Sequence, residues 1–471
     1  MELLKILFNT CRTILILILL PNHLTKLQKN ISRIRIIITL RQTILLYFNT
    51  FNINQHISLK LENTNLYIHN ITIDYISTYL LLLTTILILC CIFLRKTTIY
   101  HSNKKLLLCL MIIRTILFSA FTTTNLLIFY ILFESSIIPL IIIIGIWGSR
   151  KEKIRAIYYF LIYTIIGSLP LFLSILTIKN QLNTFNITTI QKERLERKRQ
   201  IWLFSGLFLA FAIKTPLIPW HTWLPLAHVE APATGSVLLA GILLKLGAYG
   251  FIRFTIPILP NTSKFLSPLI IILRILSLWS ARLNSLRQND IKRIIAYSSI
   301  AHMGIITAAI FSQNTIRKNG SLLLIIRHGL RRPALFILTS LLYERHKTRL
   351  IKNHQGTRLT TPILSTLTII VRLAHMRTPG SINFIGEYMC LLGLWELHPT
   401  ITLIRIIGIL ITTAYLLLLY IQTRRRKPQI YTNYKTHELS QNEIHRLLSL
   451  ITPNILLGII PYPILIKINI A

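Results

Sequence analysis

The stretch KTPLIPWHTWLPLAHVEAPATGSVLLAGILLKLGAYG, residues 214–250, decides the fold. Pro216 interrupts an apolar segment, because proline has no backbone N–H to donate and breaks a helix. Lys245 follows inside a second apolar segment that continues well past it in both directions. A lysine close to a helix end can extend to the membrane surface, but this position fits that alternative poorly. The stretch therefore predicts a broken membrane helix followed by a helix with a functional charge.

A second proline break has the same chemical setting. It lies in HMRTPGSINFIGE, residues 375–387, where Pro379 is close to Glu387 as Pro216 is close to Lys214. Broken helices at corresponding positions of two halves are typical of transporters with inverted repeats. The alternative is that each proline only kinks its helix, which is common in membranes. The neighbouring charges favour two inverted five-helix repeats, each with a broken helix.

The composition extends this prediction to the whole chain. Its 471 residues are 53% hydrophobic and 14% charged, and the mean hydropathy is +0.59. Because a membrane helix needs about 20 apolar residues, the chain has room for a dozen or more of them, and its apolar stretches predict about fourteen. We predict an all-α, polytopic membrane protein with N-terminal helices at 1–105, a first repeat at 106–255, a second repeat at 256–421 and a C-terminal loop and helix at 422–471.

Motifs for metals and redox cofactors are missing from the sequence. The five cysteines form no CxxC pair and no metal-ligand spacing, so we interpret them as apolar residues within spans. A zinc site at His221 and His228 lacks a third ligand. The chain has neither a Gly-rich dinucleotide fingerprint nor a P-loop. We expect no metal and no cofactor bound by this chain, and a first apolar segment that is retained rather than cleaved.

Several ionisable residues lie deep inside apolar sequence. Two of the fourteen acidic residues, Glu134 and Glu387, have apolar sequence on both sides, as do Lys214 and Lys245. A single buried histidine is more often a hydrogen-bonded core residue than a relay. Here, however, four histidines alternate with the buried lysines and glutamates along the chain, which favours a proton path. These histidines are His221, His228, His302 and His328.

Longer motifs resemble a known family. Residues 214–250 are accompanied by FYILFESSIIP (129–139), IYTIIGSLPL (162–171), LRQNDIKRIIAYSSIAHMG (286–304) and LYERHKTR (342–349). Together they resemble the antiporter-like membrane subunits of respiratory complex I, of the chain 4 type. The HVEAPATGS run followed by LLKLG separates this type from the related chains 2 and 5, and the length suits it.

The resemblance implies a role for each matching residue. In this family the glutamate at Glu134 pairs with the lysine of the broken seventh helix, here Lys214, and tunes its proton affinity. The lysine at Lys245 relays protons towards the centre, and Glu387 lies on the exit half. Glu230 also matches, but it is equally well interpreted as a structural acid at a helix end. The other proton-relay positions fall at His221, His228, Lys292, His302 and His328.

The resemblance also implies a function and partners. It indicates a proton-translocating core subunit of complex I in the mitochondrial inner membrane, with the antiporter-like chains 2 and 5 and the lipid bilayer as neighbours. NADH, FMN, iron–sulfur clusters and ubiquinone would act elsewhere in the complex. The alternative is a subunit of an Mrp-type cation/proton antiporter, which shares this helical unit. A nucleic-acid partner is not expected, although the net charge of +38 alone would suggest one.

The distribution of arginines is anomalous for a membrane protein. Arg114 and Arg274 lie singly inside apolar runs, where each costs about 2.5 to 3.5 kcal/mol at a helix centre. Arg327, Arg331 and Arg332 cluster within one apolar segment that contains no acidic residue. Charges of one sign at this spacing repel each other, so a folded helix bundle should not tolerate them.

The genetic code offers an explanation for these arginines. The codons AGA and AGG specify arginine in the standard code but serine in several invertebrate mitochondrial codes. We therefore predict that many of the arginines, with Arg282 and Arg293 among them, are serine in the native protein. Arg287 and Arg345 match arginines of the resembled family and are expected to be genuine.

Overall fold

The computed structural model of the chain describes residues 2–52, 57–59, 71–94, 100–193, 197–312, 314–396, 399–424 and 437–465. Nearly all of them are helical, which confirms the all-α prediction. The strands of this described part are one short antiparallel pair, Ile57–Leu59 with Ile71–Ile73. Within the described residues, eight helices are long and apolar enough to cross a membrane, and two shorter apolar helices accompany them. The count of about fourteen stays a prediction.

The described residues form two units, the first of which holds 2–214 and 242–265. Asn125 shows how its helices begin, since its side chain accepts hydrogen bonds from two N–H groups of the following turn. The α-helices of this unit are Glu2–Leu19, Thr25–Asn52, Tyr75–Phe93, Tyr100–Thr122, Leu126–Ser135, Ile137–Trp147, Lys153–Leu182, Ile187–Ile190, Arg197–Lys214, Leu244–Gly250, Ile256–Ile258 and Pro260–Phe265.

The second unit holds residues 215–241 and 266–465 of the described chain. Asp290 caps one of its central helices by accepting a hydrogen bond from the backbone N–H of Lys292 at 2.9 Å. The helices are Trp223–Glu230, Ala233–Leu238, Ser267–Arg287, Ile291–Phe311, Thr315–His346, the 3₁₀ turn Ile351–His354, Thr357–Thr360, Pro362–His375, Ile382–Trp395, Pro399–Arg424 and Gln441–Ile459.

Both predicted helix breaks are present. The helix Arg197–Lys214 ends before Pro216, and Pro362–His375 ends before Pro379. The second break turns through Gly380, whose φ of 85° lies in the left-handed region that glycine adopts at no steric cost. The inverted relation of the two repeats and the four predicted segment boundaries stay predictions.

Burial differs strongly between the spans. In the spans Ala233–Ile258 and Ile291–Phe311, 94% of the most apolar 18-residue stretch is buried. In Pro399–Thr423 the buried share of that stretch is 33%. The outer helices expose large apolar side chains such as Leu173 and Leu410. Such apolar surface is compatible with lipid rather than water. The two most buried spans carry Lys245, Lys292 and His302, so these ionisable groups lie in the protein interior.

Candidate functional site

Glu134 and Lys214 lie in the first unit and interact electrostatically. Glu134 is on the helix Leu126–Ser135, which Asn125 caps. Lys214 is the last residue of the helix Arg197–Lys214 and is 2% exposed. The Lys214 ammonium donates a hydrogen bond to the carbonyl of Phe133 at 3.3 Å and lies 4.2 Å from the centre of its ring. Lys214 thus lies within electrostatic reach of Glu134, while its direct contacts are with weak neutral partners.

Lys245 is fully buried in the same unit. It lies on the seven-residue α-helical segment Leu244–Gly250, and π-helical turns flank this segment at Leu239–Leu243 and Phe251–Thr255. Single π turns inside α-helices occur frequently at functional sites. The irregular backbone on both sides of Lys245 therefore supports its assignment as a functional residue.

In the second unit, His302 contacts two other titratable side chains. Its Nε2 lies 3.2 Å from Nε2 of His375, and its Nδ1 lies 3.4 Å from Oε1 of Glu387. All three residues are at most 3% exposed. An imidazole with a titratable neighbour at each nitrogen can accept a proton on one side and release a proton on the other. The chemistry that this cluster supports is proton transfer.

Two arginines also contact Glu387. Arg327 donates a hydrogen bond from Nη1 to Oε1 of the carboxylate at 3.1 Å, and its Nη2 lies 3.0 Å from Nδ1 of His302. Arg377 forms an ion pair with the other carboxylate oxygen. A carboxylate held between two guanidinium groups is typical of a structural ion pair. As it stands, this arrangement conflicts with a proton-carrying role for Glu387.

Lys292 contacts the end of the short helix Trp223–Glu230. Its ammonium donates hydrogen bonds to the carbonyls of Ala231 at 2.6 Å and Val229 at 3.4 Å. A cation is favourable at a helix C-terminus, where backbone carbonyls lack helical partners. Glu230 pairs with Arg349 at 3.5 Å. This ion pair supports the structural interpretation of Glu230 at the helix end.

The remaining predicted histidines have different surroundings. His228 is fully buried and stacks on Phe336, with ring centres 4.5 Å apart. The ring centre of buried His328 lies 6.4 Å from that of His302. His221 is partly exposed, and its Nδ1 lies 3.3 Å from the carbonyl of Pro219. The second unit therefore gathers His302, His328 and Glu387, whereas His221 has its described contact with the backbone.

The sequence did not identify two residues of this cluster. His375 and Asn383 are not among the residues that the sequence predicts to be functional. Asn383 donates hydrogen bonds to the carbonyls of Ala374 at 3.0 Å and His375 at 3.2 Å, so it satisfies backbone acceptors that the break leaves without helical partners. A histidine at a helix break beside a buried glutamate was the signal that could have identified His375.

The positions of the cysteines and of the possible metal ligands can be compared with the sequence interpretation. Within the residues that the structure describes, no three His, Cys, Asp or Glu side chains are grouped as metal ligands. Four cysteines, Cys90, Cys91, Cys109 and Cys390, are buried in helices, which agrees with their interpretation as apolar residues. Cys11 is exposed.

Buried arginines are the most unusual feature of the interior. The second unit contains three buried carboxylates among its described residues, Glu230, Glu387 and Glu443. Arg293 is exposed, so the burial argument made from the sequence does not extend to it. Eleven arginine side chains are buried in the described chain: Arg114, Arg274, Arg282, Arg317, Arg327, Arg331, Arg332, Arg349, Arg372, Arg377 and Arg405.

Comparison with known proteins supports the membrane assignment. Residues 123–412 match the NADH:quinone oxidoreductase/Mrp antiporter transmembrane family. The chain is similar over its full length to a chain of respiratory complex I from Thermus thermophilus with bound NADH, with a TM-score of 0.85, 25% identity and 99% of that chain covered.

Curated relatives carry a consistent name. The chain is 41% identical to NADH-ubiquinone oxidoreductase chain 4 of Marchantia polymorpha over 334 residues, which is 70% of this chain and 66% of the relative. It is 40% identical to the protein of the same name from Metridium senile, over 70% of this chain and 67% of the relative. The match thus spans about two thirds of the length of these relatives. These findings confirm the resemblance, and the chain belongs to the NADH:quinone oxidoreductase/Mrp antiporter family of transmembrane proteins.

Proposed function

We propose that this chain is an antiporter-like subunit of a respiratory NADH:quinone oxidoreductase and that it translocates protons. The observation that carries the proposal is the burial of Lys214 within electrostatic reach of Glu134. A buried lysine with a single carboxylate nearby changes its affinity for a proton when that carboxylate moves or is neutralised. The membrane family of the chain and the names of its relatives support the same function.

In the proposed mechanism, side chains of this chain bind and transfer the protons. NADH, FMN, iron–sulfur clusters and ubiquinone are proposed to supply the redox chemistry in other subunits. Within this chain, Lys214, Lys245 and Lys292 hold protons on the buried helices, and His302 passes them between Glu387 and His375. His228, His328 and His221 are proposed as further relay positions.

The energy of one ion pair is adequate for this mechanism. Moving a proton against a membrane potential requires about 2.3 kcal/mol per 100 mV. Two unit charges 4 Å apart interact by about 4 kcal/mol at an effective dielectric constant of about 20. Bringing Glu134 and Lys214 to such a distance and separating them again would therefore change the energy of a proton by an amount of the order that transport needs.

The proposed setting is the mitochondrial inner membrane. The relatives named NADH-ubiquinone oxidoreductase chain 4 include plant, algal and animal proteins. Other complex I membrane subunits are the proposed partners, above all the antiporter-like chains 2 and 5. The family description also covers Mrp antiporters, but the names of the relatives favour the respiratory complex.

The contact between His302 and His375 predicts a role for His375 in transport. His375→Gln should lower proton transport per NADH severalfold, since glutamine keeps a hydrogen-bonding side chain but does not titrate. Proton uptake and NADH oxidation would be measured together, at several pH values, in vesicles that contain the homologous bacterial complex altered at the aligned position. His346→Gln is the matched control, because His346 contacts His354 rather than this cluster. An unchanged ratio and pH profile for His375→Gln would contradict the role.

A further inference from the structure

Arginine dominates the deepest positions of the described chain. Seven of its twelve largest fully buried side chains are arginines, and the others are Trp223 and four phenylalanines. Interiors are normally filled by apolar side chains, and a buried charge is normally paired. These arginines therefore depart from the usual chemistry of a protein interior.

Several of these guanidinium groups lack the partners that a buried arginine needs. All three side-chain nitrogens of Arg317 are buried and donate no hydrogen bond. The same is true of two nitrogens of Arg282, Nε and Nη1, and of two nitrogens of Arg331, Nε and Nη2. Arg405 has one hydrogen bond, from Nη2 to the carbonyl of Ile305 at 3.2 Å, while its Nη1 has none. Arginine cannot lose its proton to relieve this cost.

The charges also lie too close to one another. Arg331 is repelled by Arg327, Arg332 and Arg377. The three buried carboxylates of the second unit do not balance this charge, because Glu230 pairs with Arg349 and Glu443 pairs with Arg345. Glu387 alone is left for the cluster, which therefore keeps a positive excess inside the bundle.

Serine would remove both problems, because it carries no charge and can satisfy its own hydroxyl within the helix. A helical serine satisfies its hydroxyl by donating to a carbonyl of the preceding turn. The neighbouring helices already show this: Ser277 donates to the carbonyl of residue 274 at 2.7 Å, and Ser298 donates to that of Ile295 at 2.7 Å. Small residues are also favoured where membrane helices pack closely.

We infer that serine occupies these buried positions in the protein that the organism makes, because its mitochondrial ribosomes read AGA and AGG codons as serine. The inference rests on the mitochondrial setting proposed above. It covers nine positions: Arg114, Arg282, Arg317, Arg327, Arg331, Arg332, Arg372, Arg377 and Arg405.

The inference resolves the conflict at Glu387. With serine at positions 327 and 377, both guanidinium groups leave the carboxylate. Among the described residues, His302 is then the basic side chain that remains close to Glu387, with 3.4 Å between its Nδ1 and Oε1 of the carboxylate. The cluster becomes a chain of Glu387, His302 and His375 with no fixed cation between them, which is an arrangement that allows proton transfer.

Peptide mass spectrometry of the native chain tests the inference. The assembly that contains this chain would be purified from mitochondria and digested with chymotrypsin, whose cleavage does not depend on arginine. We expect the mass of serine at positions 331, 332 and 317. Arg345 and Arg253 are the matched controls, since each is paired with a carboxylate, Glu443 at 2.8 Å and Asp74 at 2.5 Å. Arginine should be found at both.

The same peptides decide against the inference if they contain arginine at positions 331 and 332. Serine at Arg345 would contradict it as well, because Arg345 lies outside the nine positions. The mitochondrial gene gives a second readout: AGA or AGG is expected at positions 331 and 332, and CGN codons there overturn the inference. Arginine there, in a chain that still purifies with NADH-oxidising subunits, would leave the proposed function intact.

Discussion

Replacing Lys214 with alanine is expected to lower NADH-driven proton transport by about tenfold or more. A tenfold loss corresponds to about 1.4 kcal/mol. Two unit charges about 4 Å apart near a protein surface interact by more than that, about 4 kcal/mol. Lys214 is buried and interacts with Glu134, so no solvent cation replaces the missing ammonium. The change would be made at the aligned position of a homologous bacterial complex. Protons transported per NADH oxidised would be measured in vesicles.

The control for this experiment is Lys179→Ala. Lys179 lies in the last turn of the helix Lys153–Leu182 and is exposed. Its replacement removes the same charge from the same unit but from a surface position, so the transport ratio should stay close to that of the unaltered complex. A normal ratio with Lys214→Ala would remove Lys214 and its interaction with Glu134 from the mechanism.

The second large loss of proton transport is expected on substitution of Glu387. Glu387→Gln should abolish most proton transport, whereas Glu387→Asp should retain a substantial part, because aspartate still titrates and glutamine does not. The carboxylate lies 3.4 Å from His302 and is 3% exposed. Transport and NADH oxidation would be followed simultaneously for both variants.

The comparison of two variants separates proton transfer from packing. Glutamine has nearly the shape of glutamate, so a packing role would favour Glu387→Gln over the shorter aspartate. Glu396→Gln is the control, since Glu396 is exposed at the end of the same helix and accepts a hydrogen bond from Asn314. Equal losses for both variants at position 387 would count against a titrating role.

Local chemistry explains what the sequence could predict. Proline breaks a helix by the loss of its own N–H, so Pro216 and Pro379 marked the two breaks without knowledge of neighbouring helices. The length of the apolar segments likewise placed Lys245 and Glu134 away from the ends of their segments. The predicted burial of Lys245 is fully realised in the structure.

Contacts between distant helices explain what the sequence could not predict. His302 and His375 are 73 residues apart in the chain, and Arg327 and Glu387 are 60 apart. A membrane helix that is apolar on every face does not indicate which face meets a neighbour. For this reason the sequence missed His375, and it grouped the exposed Arg293 with the buried arginines.

The central claim is that this chain moves protons as part of an NADH-oxidising complex. The most direct test is to purify the native assembly with an antibody against this chain, reconstitute it in liposomes and measure proton transport. Transport should start on addition of NADH and a soluble quinone and should not need a sodium gradient. Proton transport driven by a sodium gradient, in an assembly that oxidises no NADH, would contradict the account and identify an Mrp-type antiporter subunit.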